Sequence, residues 1–132
     1  MKFSVHLITI LFLSLLVISA CSPGPTEYGI LEGHVNIGPL VPVMREGETP
    51  PTPSPEVYAA RQIVVFKQPV NVEVVRIEID DSGYYRAELP VGEYVIDINR
   101  AGIDSADGLP MTILIEADQT FQLDIDIDTG IR

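Results

Sequence analysis

Apolar residues at every second position constrain the fold of this chain more than any other feature. In the last such segment, from 121 to 128, apolar residues occupy the odd positions and polar residues, mostly aspartates, occupy the even positions. Successive side chains of a β-strand point to opposite faces, whereas a helix repeats every ~3.6 residues. The pattern therefore predicts a strand with one buried apolar face and one acidic face in water.

Similar short segments recur between clusters of glycine, proline and aspartate, and no long segment shows the helical period. The predicted strands lie at about 28–35, 57–67, 70–79, 84–89, 94–99, 111–116 and 121–128. Near Val74 and Val75 the alternation slips by one position, which predicts a β-bulge that keeps a single buried face. The predicted fold is all-β: a single seven-stranded β-sandwich of immunoglobulin-like size.

A proline-dense segment, residues 39–55, follows the first predicted strand. Proline lacks an amide donor and has a fixed φ, so a central strand or a helix is excluded there. The segment is predicted to be an ordered surface loop. Docking of its PxxP-like spacing into an aromatic groove is the alternative.

The N-terminal residues have the layout of an export signal. Lys2 is followed by an apolar run from Leu7 to Ile18 and by two small residues before Cys21. The uncharged stretch is also about as long as the shortest membrane-spanning helix, roughly 17 to 20 residues, so its length alone allows a retained anchor. Cys21 is the only cysteine, so no disulfide can form within the chain.

The end of the apolar run resembles the lipobox of bacterial lipoproteins, with the sequence Ile18-Ser19-Ala20-Cys21. In that motif the cysteine is acylated and becomes the first mature residue. That resemblance implies a signal peptide at 1–20, lipidation of Cys21, a tether at 21–27 and a domain at 28–132. It also implies an extracytoplasmic location, lipid-anchored to the cell membrane or to an outer membrane. The membrane is then a partner through the N-terminal lipid.

The chain is strongly acidic, with a formal net charge of −11. Loss of residues 1–20 removes Lys2 and no acid, which makes the charge one unit more negative. A surface of this charge repels nucleic acid and anionic headgroups, so nucleic acid is excluded as a partner.

Three short motifs carry a family resemblance: Gly33-His34-Val35, Asp80-x-x-Gly83-x-Tyr85 and Leu89-Pro90-x-Gly92-x-Tyr94. Their order and spacing resemble the carboxypeptidase regulatory-like domain, a transthyretin-like (prealbumin-like) sandwich related to Cna B-type and carbohydrate-binding-like folds. With this resemblance, the predicted fold is a single seven-stranded immunoglobulin-like or prealbumin-like β-sandwich after a helical N-terminal signal segment. The resemblance implies an accessory domain without catalytic residues or cofactor. The proline-rich segment departs from the compact pattern of that family.

The residues also argue against an enzyme. No Gly-x-Ser-x-Gly elbow surrounds any serine, so the sequence does not predict a catalytic triad. His34 is the only histidine after position 20, and a lone histidine does not predict a zinc site. Related Cna B-type domains can form a Lys-to-Asn isopeptide bond. Here Lys67 is the only lysine after position 20, and the last predicted strand contains no asparagine, so Asn99 could pair with Lys67 only if the topology differs from that of the family.

The acids of the last predicted strand, Asp124, Asp126 and Asp128, are candidate calcium ligands, because hard oxygen donors suit that ion. The alternative is the solvent face of an amphipathic strand, which the alternation alone explains. Asp104 and Asp107, in a glycine-bearing loop, are a further calcium candidate, with a polar turn as the alternative.

Three tyrosines, Tyr28, Tyr58 and Tyr84, are candidates for a sugar-binding surface, although the chain has no tryptophan. The sequence as a whole predicts a non-enzymatic, membrane-anchored lipoprotein that serves as an interaction or structural module at the cell envelope. Its partner is an envelope protein or a glycan of unknown identity. The alternatives are a carbohydrate-binding module and an accessory domain of an envelope peptidase.

Overall fold

The computed structural model describes residues 24–132, which form two β-sheets packed face to face. The elements in chain order are β1 (Tyr28–Gly38), α1 (Pro55–Ala59), β2 (Gln62–Lys67), β3 (Val72–Glu78), β4 (Tyr84–Pro90), β5 (Gly92–Ile98), β6 (Ser105–Ala106), β7 (Met111–Ile115), β8 (Thr120–Gln122) and β9 (Ile125–Asp128). One sheet has the order β4-β1-β9-β6, with β8 also paired to β1. The other sheet has the order β3-β2-β5-β7.

β1 is the central strand of the first sheet, and its side chains alternate between core and solvent. Its odd-numbered residues from Gly29 to Ile37 are buried, whereas the even-numbered residues between them are half-buried or exposed. β1 pairs antiparallel with β4 on one side and parallel with β8 and then β9 on the other. The first and last strands therefore lie side by side in the middle of this sheet.

Apolar side chains from both sheets fill the space between them. The largest fully buried ones are Tyr85, Tyr94, Leu31, Ile63, Ile96, Ile115, Val35 and Val65. Full burial of an aliphatic side chain contributes roughly 1.5–3 kcal/mol. The inward-facing positions that the alternation predicts thus provide the main stabilisation of the sandwich.

The prediction of an all-β sandwich is confirmed, but the strands differ in number and bounds. Residues 24–132 contain nine strands where the sequence predicts seven. The strand predicted at 57–67 is wrong over its first part, where α1 and a turn precede β2. The strand predicted at 121–128 is divided into β8 and β9, and β6 is not among the predicted strands. The predicted signal helix lies outside the described residues.

The division between β8 and β9 follows from a close approach of the chain to Gly33. A Cβ atom at residue 33 would overlap the carbonyl oxygen of Leu123, so only glycine fits at this position. The hydroxyl of Tyr85 donates to that carbonyl oxygen at 2.5 Å, and the amide of Leu123 donates to the carbonyl oxygen of Glu32 at 2.9 Å. The interruption is therefore a hydrogen-bonded part of the sheet.

The predicted bulge in β3 is confirmed, because Val74 is skipped between Val75 and Glu73 in the pairing with β2. The single buried face predicted for this segment is wrong. Val72 and Val74 are 55% and 49% exposed. β3 is an edge strand, and an open groove of about 380 Å³ lies between this part of it and β4 of the opposite sheet, so Val72 and Val74 are not covered.

The turn between β3 and β4 has the expected chemistry. Gly83 has a φ of +83°, a conformation that L side chains disfavour. The carboxylate of Asp80 accepts hydrogen bonds from the Ser82 hydroxyl at 2.6 Å, the Ser82 amide at 2.8 Å and the Tyr84 amide at 2.9 Å. These bonds, the Ser82 hydroxyl first, hold the pKa of Asp80 below its usual range.

The proline-rich segment contains no helix or strand from 39 to 54, as expected, and Pro55 begins α1. Proline at the first helical position costs no hydrogen bond, since that amide has no partner within the helix. Within residues 24–132 no helix has the length and apolar character needed to cross a membrane.

Candidate functional site

The residues that precede β1 leave the sandwich at one end, which we call the tether end. It consists of the start of β1 and the turns at 68–71, 90–93 and 116–119. Main-chain hydrogen bonds join these segments: the Val91 amide donates to the Glu27 carbonyl oxygen at 2.9 Å, and the Asp118 amide donates to the Tyr28 carbonyl oxygen at 2.9 Å. The Gln68 amide donates to a carbonyl oxygen of the 90–93 turn at 3.1 Å.

The proline-rich loop, residues 39–54, begins where β1 finishes, at the opposite end, which we call the loop end. The amide of Thr129 donates to the Gly38 carbonyl oxygen at 3.1 Å, and its hydroxyl donates to the Pro39 carbonyl oxygen at 2.5 Å. β1 has 11 residues, so its two ends are separated by about 35 Å at roughly 3.3 Å per residue. The tether and the loop therefore leave the sandwich on opposite sides.

A buried ion pair lies at the end of α1, the helix that follows the loop. The guanidinium of Arg61, just after α1, donates to both carboxylate oxygens of Asp104, at 2.8 and 3.2 Å. It also donates to the carbonyl oxygen of Val57 in α1 at 2.8 Å. The side chains of Arg61 and Asp104 are only 12% and 3% exposed. This bidentate pair joins the exit of the loop to the segment between β5 and β6.

The loop itself is largely exposed to solvent. Val43 is 81% exposed, and Met44 is 39% exposed. A turn follows them, in which the Arg45 amide donates to a carboxylate oxygen of Glu48 at 3.1 Å and the Glu48 amide donates to the Arg45 carbonyl oxygen at 3.0 Å. Exposed apolar side chains on a loop held at a fixed base are suited to binding another macromolecule.

A second polar group of side chains lies on the outer face of the first sheet. Glu32 accepts a hydrogen bond from the Tyr84 hydroxyl at 2.8 Å and pairs with Arg86. The rings of His34 and Tyr84 have centroids 5.3 Å apart at 57°. The main-chain amide of His34 donates to Asp124 at 2.9 Å. His34 is exposed, and among residues 24–132 its ring contacts the Tyr84 ring and forms no hydrogen bond with a base or a nucleophile.

The three candidate calcium ligands lie just before β9 (Asp124) or within it (Asp126 and Asp128), and each has a different hydrogen-bond partner, which for Asp124 is the His34 amide. Asp126 accepts from the Asn36 side-chain amide at 2.9 Å. Asp128 accepts from the Gly130 amide at 2.8 Å and from the Arg132 guanidinium at 2.7 Å. Arg132 is the main cause that lowers the pKa of Asp128 to about 2.

The candidate calcium ligands do not form a metal-binding group with one another or with Asp107. Asp107, Asp126 and Asp128 line an open cleft of about 400 Å³ beside the end of β1. Even so, the part of the chain that the structure describes contains no group of three or more acidic, histidine or cysteine side chains placed to hold a metal ion. Asp104 does not line this cleft, and its carboxylate is paired with Arg61.

The three candidate tyrosines do not form a common surface. Tyr58 in α1 is buried, at 7% exposed. Tyr28 is 44% exposed at the tether end, and Tyr84 is half-buried beside His34. Tyr28 and His34 are six positions apart on β1, or about 20 Å. A sugar ring therefore cannot stack on Tyr28 and Tyr84 together.

Lys67 and Asn99 lie at opposite ends of the β2–β5 pair. The ammonium of Lys67 lies 4.2 Å from the centroid of the Tyr94 ring and donates to the Val91 carbonyl oxygen at 3.4 Å. The side chain of Asn99 accepts from the Gln62 amide at 2.5 Å. An isopeptide bond between Lys67 and Asn99 is therefore excluded by their positions. Cys21, the predicted lipidation site, lies outside the described residues.

The Arg61–Asp104 pair is the feature that sequence reasoning missed. The two residues are 43 positions apart, and the sequence assigns Asp104 to a polar turn or a calcium site. Arg61 falls inside a segment predicted to be a strand. The sequence did contain one signal. Arg61 stands directly before an apolar strand, and an arginine at a partly buried position usually needs a carboxylate as its partner.

No family model matches the chain, and no curated protein matches it in sequence. Among solved structures, it is similar to the minor pilin of the Gram-positive pathogen Streptococcus agalactiae, with 18% identity and a TM-score of 0.49 over 78% of this chain and 45% of that one. It is also similar to the Bacillus anthracis TIE protein, with 11% identity and a TM-score of 0.50 over 76% of this chain and 17% of that one. A DUF3823 family protein from Parabacteroides merdae has 13% identity and a TM-score of 0.47 over 77% of this chain and 46% of that one.

At these identities the likeness concerns the fold alone. The similarity to the TIE protein supports a shared fold over the matched part of the two chains. This chain spans less than half of the length of each of the three proteins. The resemblance to carboxypeptidase regulatory-like domains stays a prediction, since no family model matches.

Proposed function

We propose that this chain is a non-enzymatic lipoprotein of the bacterial cell envelope, held at the membrane through a lipid on Cys21. Its β-sandwich acts as an interaction module that presents the proline-rich loop to an envelope partner. The observation that supports this function is the placement of the tether and the loop at opposite ends of the sandwich. A lipid at Cys21 then brings the tether end toward the bilayer and directs the loop end away from it.

The loop end also has the features expected of a binding surface. The Arg61–Asp104 pair and the bonds of Thr129 hold both ends of the loop on the sandwich, while Val43 and Met44 remain exposed. A loop with fixed ends loses less conformational freedom on binding than a free segment does. The separation of the tyrosines gives a carbohydrate-binding module less support, and no particular residue favours an accessory domain of a peptidase.

The lipid anchor is tested by intact-mass measurement of the chain purified from envelopes of the native host. We expect a polypeptide that begins at Cys21 and carries the mass of a diacylglycerol group. The variant Cys21→Ser is the matched control, and it should retain residues 1–20 without lipid. An unmodified thiol on a full-length chain would contradict the proposal.

The role of the loop is tested separately by photo-crosslinking in intact envelopes. A photoreactive residue at Val43 should form a discrete protein adduct, whereas the same residue at Val70, at the tether end, should not form that adduct. Both positions carry exposed valines, so the comparison isolates their location. The same adducts from both sites would contradict a binding role for the loop.

A further inference from the structure

We propose that the tether end of the sandwich rests on the surface of the lipid bilayer, with Val70 and Val91 inserted among the headgroups. This inference rests on the proposed lipid attachment at Cys21 and adds a second contact with the membrane. The contact is made by side chains of the folded domain, so it orients the sandwich on the membrane, which attachment through a lipid alone does not do.

Exposed apolar side chains gather on the turns of this end. Val70, in the turn before β3, is 69% exposed, and Val91, in the turn before β5, is 40% exposed. Lys67 links the two turns, because its ammonium donates to the Val91 carbonyl oxygen at 3.4 Å. Tyr28 adds a 44% exposed ring at the start of β1. Tyrosine is enriched at membrane interfaces, since its ring is apolar and its hydroxyl is polar.

The length of the tether selects the bilayer as the occupant of this surface. Cys21 is seven residues before Tyr28, which allows a separation of about 25 Å at most. That distance is shorter than β1 itself, so the tether end is the part of the domain closest to an acylated cysteine. A protein partner at this end would have to displace the bilayer from a surface that the tether keeps beside it.

The charges of the tether end limit how deeply it inserts and which lipids it prefers. Four acids, Glu27, Glu93, Glu116 and Asp118, are exposed on or beside the same turns. Carboxylates resist transfer into hydrocarbon and repel anionic headgroups. The contact is therefore shallow and favours zwitterionic lipid, such as phosphatidylethanolamine or phosphatidylcholine.

Tryptophan fluorescence tests the contact without background, because the chain contains no tryptophan. The lipidated chain with Val70→Trp is reconstituted into phosphatidylcholine vesicles with bromine atoms in the upper acyl region. Interfacial side chains lie about 5–10 Å into the headgroup and acyl boundary, so we expect roughly twofold quenching. The matched variant Val43→Trp, at the loop end, should show no quenching. Replacement of part of the lipid by phosphatidylglycerol should weaken the quenching of Val70→Trp.

A second reporter removes the objection that tryptophan itself seeks the interface. In the background Val91→Trp, the change Val70→Asp should abolish quenching, whereas Val43→Asp should leave it unchanged. Circular dichroism confirms that the variants are folded. Equal quenching in the Val70→Asp and Val43→Asp chains would overturn the inference.

Vesicle flotation separates the two proposals. If the chain does not float with the vesicles, the lipid anchor fails and the contact fails with it. If the chain floats but the tryptophan at 70 is unquenched, the anchor stands and the contact is overturned. Shielding of that tryptophan from aqueous iodide without quenching by brominated lipid would instead indicate a protein contact, which also overturns the inference.

Discussion

The tether end and the loop end of this sandwich are held together by different interactions. At the tether end, short turns are joined mainly by main-chain hydrogen bonds and expose Val70 and Val91. At the loop end, the buried pair Arg61–Asp104 fixes the base of a long, solvent-exposed segment. The tether end thus combines short, hydrogen-bonded turns with two exposed valines among acidic side chains, which suits the shallow bilayer contact that we propose. The loop end combines an ion-paired base with a long exposed loop, which suits a macromolecular partner.

Gly33→Val should have the largest effect, because it disrupts the strand that connects the two ends. The new side chain would overlap the Leu123 carbonyl oxygen, so β8 and β9 would have to move away from β1. We expect a loss of about 4 kcal/mol in the free energy of unfolding, measured by urea denaturation. Gly38→Ala is the control, since nothing lies within 4 Å of a Cβ atom there. Equal stability of the two variants would refute the packing described for Gly33.

Asp104→Ala should destabilise the loop end selectively. It leaves the Arg61 guanidinium buried without its carboxylate, which costs about 3 kcal/mol in typical buried pairs. Hydrogen exchange should rise in α1 and in the adjoining loop but not in the turns of the tether end. Asp107→Ala, at an exposed position, is the control and should change neither quantity. Uniform loosening of both ends would show that they are not independent.

Tyr85→Phe should have a smaller effect, centred between the two ends. The variant loses the hydrogen bond to the Leu123 carbonyl oxygen, and we expect a loss of about 1 kcal/mol at neutral pH in thermal denaturation. Burial, and then the charge of Asp124, raises the pKa of the Tyr85 hydroxyl above its ordinary value.

The raised pKa also predicts a dependence on alkaline pH. The neutral hydroxyl is favoured in the folded chain, so its contribution is fully present below the unfolded pKa of about 10 and is lost as the pH rises toward the folded pKa. The wild-type chain should therefore lose stability more steeply above pH 10 than Tyr85→Phe. Parallel pH profiles for the two chains would contradict the burial of this hydroxyl.

Arg132→Ala should have the smallest effect. The guanidinium of Arg132 is the main cause that lowers the pKa of Asp128 to about 2, so the variant should shift that pKa upward in an NMR titration. Because the pKa is depressed in the folded chain, its contribution to stability is present above about pH 4 and is lost as the pH falls toward 2. Stability at neutral pH should barely change, since the pair is exposed. An unchanged Asp128 pKa would exclude the pair in solution.

Several features of the fold could be predicted from local patterns. Alternation correctly assigned the outward direction of Asp124 and Asp126, a slip in phase located the bulge at Val74, and Gly83 has the positive φ of its turn. Each of these features depends on a few neighbouring residues. The alternation of apolar and polar residues and the positive φ of a glycine are set by neighbouring residues, so they can be predicted directly from the sequence.

Other features left no local signal. α1 has only five residues and one buried side chain, which is too short for a helical period to appear. The break at Leu123 does not disturb the alternation, because residues 121, 123 and 125 all keep the inward phase. The ion pair at the loop end joins residues far apart in the chain. The two-ended arrangement depends on which turns meet, and this follows from topology rather than from any one segment.

Energy transfer to the bilayer tests the orientation of the two ends most directly. In a lipidated chain the Cys21 thiol is blocked, so a dye can be attached uniquely through Val70→Cys or Val43→Cys, with acceptors on the lipid headgroups. The account predicts strong transfer from position 70 and weak transfer from position 43, consistent with a separation of about 35 Å along β1. Equal transfer from the two positions, or stronger transfer from position 43, would contradict it.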